Sequence, residues 1–214
     1  MNKINYNAPV TLTFTIISVA VLILDYISGG RIAINLFALF PNFGIRNFIR
    51  MFTYVFAHLD FNHFFGNFSI ILLIGPLIEE KYGEKNLLLM MVATAFVTAL
   101  IHILFFNTII VGASGIVFML ILLTPFTNTK SGKIPLTFIL IALIYIGREI
   151  FLGITLADNV SRFGHVFGGI MGACSGFFLN RQKRETNSDN NFHNGSNFDP
   201  NHDPNINSNN NPNI

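Results

Sequence analysis

Six apolar stretches, separated by polar or aromatic segments, organise the first 180 residues: 9–28, 63–79, 86–107, 112–127, 134–153 and 160–180. A helix of about 20 apolar residues is long enough to cross the hydrocarbon core of a bilayer. The pattern therefore predicts an all-α, polytopic membrane protein with six transmembrane helices. The fourth stretch is the shortest, which fits a helix enclosed by the others and not obliged to meet lipid at both ends. The first starts nine residues into the chain, behind Lys3. Its length and the lack of a small-x-small cleavage site favour a retained helix over a cleaved signal peptide.

Two segments break the pattern. Between the first two spans lies GGRIAINLFALFPNFGIRNFIRMFTYVFAHLDF, rich in phenylalanine and without an unbroken spanning run. It is too apolar for a solvated loop, so a structured loop lying partly in the outer leaflet is expected, with its aromatic rings at the interface. After residue 180 the chain changes material: residues 181–214 contain twelve asparagines and almost no aliphatic side chains. Such a segment cannot bury enough apolar surface to fold and is expected to be a disordered tail behind a 1–180 membrane domain.

Composition agrees with this reading. Of 214 residues 51% are hydrophobic and 11% charged, with a mean hydropathy of +0.54, whereas a soluble domain carries nearer a quarter charged residues. Placing the N-terminus inside puts Lys3, Lys81, Lys85, Lys130, Lys133, Arg181, Lys183 and Arg184 on the cytoplasmic side, against Arg31, Arg46, Arg50, Arg148 and Arg162 outside. Cytoplasmic loops hold the excess of positive charge, so both termini are expected in the cytoplasm, with the plasma membrane as the expected location. The net charge of +2 reports topology and gives no argument for nucleic acid. A single cysteine, Cys174, excludes an intrachain disulfide. No internal repeat is visible.

Polar side chains inside spans are costly and are functional candidates by default. His63 and Asn67 stand near the start of span two, Ser114 near the start of span four and His165 near the start of span six. All three helices run inward in this topology, so the four residues share one layer, roughly one or two turns below the outer surface at about 1.5 Å per residue. His63 and Asn67, four apart, point to one side of their helix. Below His165 runs a stripe of Gly168, Gly172 and Gly176, whose spacing lets helix backbones approach closely in lipid. That stripe can bring span six against the glycine-flanked start of span four, VGASGIVF, and so set His165 beside Ser114. A serine hydroxyl becomes a nucleophile when a neighbouring base takes its proton, and Asn67, His63 and the Ser114 backbone N–H can supply donors to an oxyanion. No acidic residue is placed to orient His165, so the reading is a serine–histidine dyad. The simpler alternative is a serine bonded back to its own helix between two packing glycines.

Other polar residues are given plainer roles. A zinc site from His58, His63 and His165 lacks both an HExxH pattern and a nearby intramembrane carboxylate, and no metal or other cofactor is expected. Cys174 lies nine residues after His165, on the opposite face, and reads as a packed small residue. His102 reads as a core histidine bonded to a backbone or hydroxyl group. Asp25 is expected to reach the interface at the outer end of span one. Glu79, Glu80 and Lys81 are expected to serve capping and charge pairing at the cytoplasmic end of span two. His193 and His202, scattered in the tail, make a poor metal site.

Residues 9–180 resemble the rhomboid intramembrane serine proteases. The resemblance rests on GASG at Gly112–Gly115, on AHLDFNHFFGNF with His58, His63 and Asn67, on GHVFGGIMG with His165, Gly168 and Gly172, and on GPLIEEKYG after the second span. It implies a six-transmembrane-helix rhomboid-like bundle with a water-filled cavity open to the outside. In it Ser114 would be the nucleophile, His165 the general base, and His63 and Asn67 part of the oxyanion hole. His58 would be a structural or proton-network residue at the cavity rim, and the fifth span with its following loop a lateral gate and lid. Two positions depart from the pattern: Phe118 stands where many members have a tyrosine, and Ile49-Arg50 stands for a Trp-Arg pair in a chain without tryptophan.

The expected function is then a cofactor-independent serine endopeptidase that cuts transmembrane segments of other membrane proteins near the extracytoplasmic face. Gly112 would allow the backbone close to substrate and Gly115 would admit the histidine helix. Substrates should carry helix-weakening residues near the outer surface, and the resemblance implies a small residue before the cut. The alternative is a non-catalytic relative that binds transmembrane segments for trafficking or quality control. A transporter would need midplane polar groups and a repeat, which the chain lacks.

Overall fold

The computed structural model describes residues 6–127, 133–155 and 165–178. Among the described residues the chain forms α-helices α1 Pro9–Ile27, α2 Ile45–Thr53, α3 Phe61–Tyr82, α4 Glu84–Phe105, α5 Ser114–Leu123, α6 Leu136–Thr155 and α7 His165–Phe178. Among the described residues there is no strand beyond one isolated bridge, Leu39 with Ile110. Each of the six apolar stretches holds a helix, and α1, α3 and α4 are long and apolar enough to cross a membrane. Residues 160–164 of the sixth stretch and the whole 181–214 tail, including His193 and His202, lie outside the described residues.

α5 is the hub. Every residue from Gly115 to Leu123 is buried, and the helix packs against α3, α4, α6 and α7. This is the enclosed short helix that the pattern predicts; a 3-10 turn, Thr124–Phe126, closes it.

Helix starts explain much of the rest. Pro9 opens α1 at a position where its missing N–H is no loss. The next two N–H groups, of Val10 and Thr11, donate to the two carboxylate oxygens of Glu79 at 2.8 and 3.0 Å, and the Thr11 hydroxyl adds a third bond at 2.7 Å. Glu79 is 4% exposed. It does cap a helix, yet the helix is α1 and not its own, and it is not the surface charge-pair residue expected beside Glu80 and Lys81. The close crossing is set one turn earlier, where a Cβ on Gly75 would lie 2.7 Å from the Thr11 side chain.

Asp25 also departs from expectation. It is 7% exposed and its Oδ1 accepts the Ala33 N–H at 2.7 Å. After Gly29 and Gly30 turn the chain with positive φ, this bond folds the first loop back under α1, so the carboxylate is consumed inside and does not reach the interface.

The first loop is structured, as expected: a π-helical turn at Ala33–Phe37, then α2, then a 3-10 turn at Tyr54–Phe56. Arg50 holds it by donating to the carbonyls of Asn35 and Leu36 and lying over the Phe40 ring. The arginine thus anchors the loop without a tryptophan beside it, while Ile49 is exposed. α2 buries Asn47 and Met51 and exposes Ile45, Phe48 and Ile49, with Phe43 before them. Such an apolar outer side suits a membrane interface.

Replacing Glu79 by glutamine sets an NH2 group against one of the three donors. Glu79→Gln should lower unfolding free energy by about 2 kcal/mol, read as a lower midpoint in denaturant titration in detergent.

Candidate active site

The stretch before Ser114 is fixed by backbone bonds and one glycine. Leu39 and Ile110 exchange N–H···O bonds at 3.0 and 3.1 Å, and the Gly112 N–H donates to the Tyr54 carbonyl at 3.0 Å. Gly112 has φ +114°, a conformation that disfavours any side chain, and a Cβ there would lie 2.7 Å from Cε1 of His63. The His63 ring thus rests against the bare Cα of Gly112. His63 is itself positioned by Asp60, the N-cap of α3, whose Oδ1 accepts the His63 N–H at 2.8 Å.

Beneath His63 lies His58, edge-on with ring centroids 4.9 Å apart. His58 is 1% exposed; it sits inside, not at a rim, because the rings of Phe64 and Phe68 from α3 enclose it. Its Nε2 is 3.0 Å from the Asn67 side-chain nitrogen and 3.3 Å from the backbone nitrogen of Ala113. His63, Asn67, His58, Gly112 and Ala113 therefore form one contiguous cluster that ends at Ser114, the half-buried first residue of α5.

The histidine of the last helix arrives by the glycine stripe. A Cβ on Gly168 would lie 2.0 Å from the Gly115 carbonyl oxygen, and one on Gly172 would lie 2.2 Å from that of Met119. A Cβ on Gly176 would lie 2.5 Å from the Phe126 ring. α7 thus lies on α5 with backbones nearly touching and in parallel register. The His165 ring stacks on Phe118, centroids 4.4 Å apart and planes 5° from parallel. Phe118 is four residues after Ser114, on the same side of α5, so the imidazole stands on the serine side of the helix.

Cys174 is exposed on α7, not packed: the glycine side meets α5, and Cys174 lies off it. His102 is a buried core histidine whose Nε2 lies 2.8 Å from the Thr108 carbonyl oxygen, tying α4 to the loop that leads toward Gly112. Among the described residues no three His, Cys, Asp or Glu side chains gather as metal ligands, and Nε2 of His58 accepts the Ala113 N–H. The backbone partners at Tyr54, Leu39 and Ala113 were invisible beforehand, since a carbonyl or N–H carries no residue-type signature.

Burial, followed by the nearby His63, lowers the His58 pKa from its ordinary 6.5 to about 3, against the opposing effects of the Phe56 backbone and Asp60. Its ring is neutral at physiological pH.

A family model described as Rhomboid domain matches residues 46–182, a range that runs from α2 through α7 and contains His58, His63, Asn67, Ser114 and His165. A comparison with curated proteins returns no match.

Two outcomes are expected from the packing and the titration. Gly168→Ala should destabilise by about 3 kcal/mol, the upper end for overpacking, because backbone and not a flexible side chain blocks the methyl. Gly66→Ala, with open space around it, should be neutral or gain about 1 kcal/mol in helix propensity; thermal unfolding of both variants checks the contrast. Between pH 6.5 and 3 an unfolded His58 binds a proton and the folded one does not, so stability should fall as pH drops through that window. The unfolding midpoint should lose part of that pH dependence in His58→Gln.

Proposed function

This chain belongs to the rhomboid family, and from that premise we propose that it is an intramembrane serine endopeptidase working through a Ser114–His165 dyad. The observation that carries the proposal is convergence: the His165 ring stacks on Phe118, one turn from Ser114, while the backbone leading into Ser114 is bound by the His58–Asn67–His63 cluster.

In the proposed reaction His165 takes the Ser114 hydroxyl proton as Oγ attacks the scissile carbonyl carbon. The negative charge that develops on the carbonyl oxygen is met by N–H groups of Asn67, His63 and the Ser114 backbone. His165 then protonates the leaving amine as the C–N bond breaks. Water, deprotonated by the same imidazole, cleaves the acyl ester and restores Ser114. Gly112 keeps the wall beside the serine low enough for a substrate backbone, and Phe118 holds the plane of the base.

The protein is an integral membrane protein of six spans in this proposal, with both termini cytoplasmic in the plasma membrane and the dyad toward the outer face. Its substrates are transmembrane segments of other membrane proteins. A stable helix shields its own peptide bonds, so helix-weakening residues near the outer surface and a small residue before the cut are favoured. α6 serves as the lateral gate; the loop after it, 156–164, lies outside the described residues.

The test is cleavage of a transmembrane reporter in liposomes. The wild type should cut, Ser114→Ala and His165→Ala should be inert, and Asn67→Ala should lose roughly 100-fold or more in kcat, as for removal of an oxyanion donor. Cleavage surviving in Ser114→Ala would sink the nucleophile assignment. A wild type that binds a range of reporters yet cuts none would favour the non-catalytic binding reading.

A further inference from the structure

We propose that His58 is a positioning residue that, held as its Nδ1–H tautomer, sets the orientation of the Asn67 carboxamide and of the peptide leading into Ser114. The consequence for rate rests on the protease reading above; the tautomer does not.

Two contacts converge on one atom. The Ala113 backbone N–H has a proton to give and nothing to accept with, so the Nε2 that it approaches at 3.3 Å must present a lone pair. The same Nε2 is 3.0 Å from the Asn67 side-chain amide. An amide oxygen there would face a lone pair, so the NH2 end must face His58. One amide proton is then spent on His58 and the second is left for the reaction site. The ring proton falls to Nδ1, which is buried without a hydrogen-bond partner among the described residues; the Phe56 backbone is the neighbour that favours a proton on the ring.

Charging the ring would undo the arrangement, because Nε2–H would then confront two N–H donors. The neighbouring ionisable groups are His63, edge-on to the ring, and Asp60 at the start of α3. Burial outweighs Asp60 and keeps the ring neutral. Without a lone pair at this place the Asn67 amide is free to turn its oxygen toward a developing oxyanion, which opposes the reaction without changing how substrate is held. His58 therefore acts on kcat and not on KM.

The direct measurement is 15N NMR of the full chain in lipid nanodiscs with labelled histidine, the His58 signals being those lost in His58→Gln. A single tautomer is expected, protonated at Nδ1 and bare at Nε2; an Nε2–H tautomer or a charged ring at neutral pH overturns the proposal. Kinetics supply the second measurement. His58→Phe should lower kcat on the reporter by roughly 100-fold, the size of one lost oxyanion donor, with KM held. Asn67→Ala should then cost little more in the His58→Phe background, since its amide is already misaligned. His58→Gln, which offers an oxygen acceptor, should recover part of the lost kcat. Fully additive losses from His58→Phe and Asn67→Ala overturn the positioning role. Should His58→Phe fail to fold, or the wild type cut no reporter, the NMR result still decides the tautomer, so failure of the protease reading is distinguishable from failure of this one.

Discussion

α5 begins in the interior of the bundle, and the backbone leading into it has to find hydrogen-bond partners inside the protein. An unmet N–H in such surroundings costs several kcal/mol, about 2–7 by transfer estimates. The Gly112 N–H is met by the Tyr54 carbonyl, the Ala113 N–H by His58, and the Ile110 N–H by Leu39. All three partners come from the segment between α1 and α3. The folded first loop therefore supplies the polar contacts that a helix starting at Ser114 needs, and Asp25 and Arg50 hold that loop in place.

The same requirement recurs at the other end of the bundle, and α3 serves both. At its N-terminal end Asp60 caps α3 itself, His63 rests against Gly112, and Asn67 meets His58, which accepts the Ala113 N–H. Near its C-terminal end Glu79 caps α1. One helix thus carries polar side chains at its two extremities and an apolar middle, which is how a spanning helix can pair with its neighbours without leaving a charge in hydrocarbon. The glycine contact of α7 on α5 adds the remaining element by a different route, since two backbones in van der Waals contact need no polar group at all.

How much of this was legible in the sequence depends on the kind of interaction. Hydrophobic runs mark helices directly, and the enclosed α5 could be inferred from its shortness. The Gly168, Gly172 and Gly176 stripe has a period that names its face, so the approach of α7 to α5 is legible in the sequence. Glu79 and Asp25 were misread because a carboxylate near a helix end looks the same whether it meets water or a backbone N–H from a distant helix. The spacing sets Cys174 on the face opposite His165 and the glycines, but it does not say whether another helix covers that face, and Cys174 is exposed there. His58 was legible as a motif position, but its burial follows from the surrounding Phe64 and Phe68 rings, which only the fold brings together.

Phe118 shows how the two routes meet beside His165. A phenol in its place would carry a hydroxyl that needs a partner in an apolar interior; phenylalanine removes that demand and keeps the flat surface. The His165 ring lies within 5° of that surface at 4.4 Å, a contact whose strength comes from area and fit. Its geometry depends on how closely α7 can approach, and Gly168 and Gly172 set that distance through bare Cα atoms against the Gly115 and Met119 carbonyls. The plane of His165 is therefore controlled largely by packing, whereas the approach to Ser114 is controlled by hydrogen bonds. Packing responds to volume, and hydrogen bonds respond to proton placement. A change of one methyl group on α7 and a change of tautomer at His58 should consequently perturb the two halves of the site separately, even though both halves meet on the first two turns of α5.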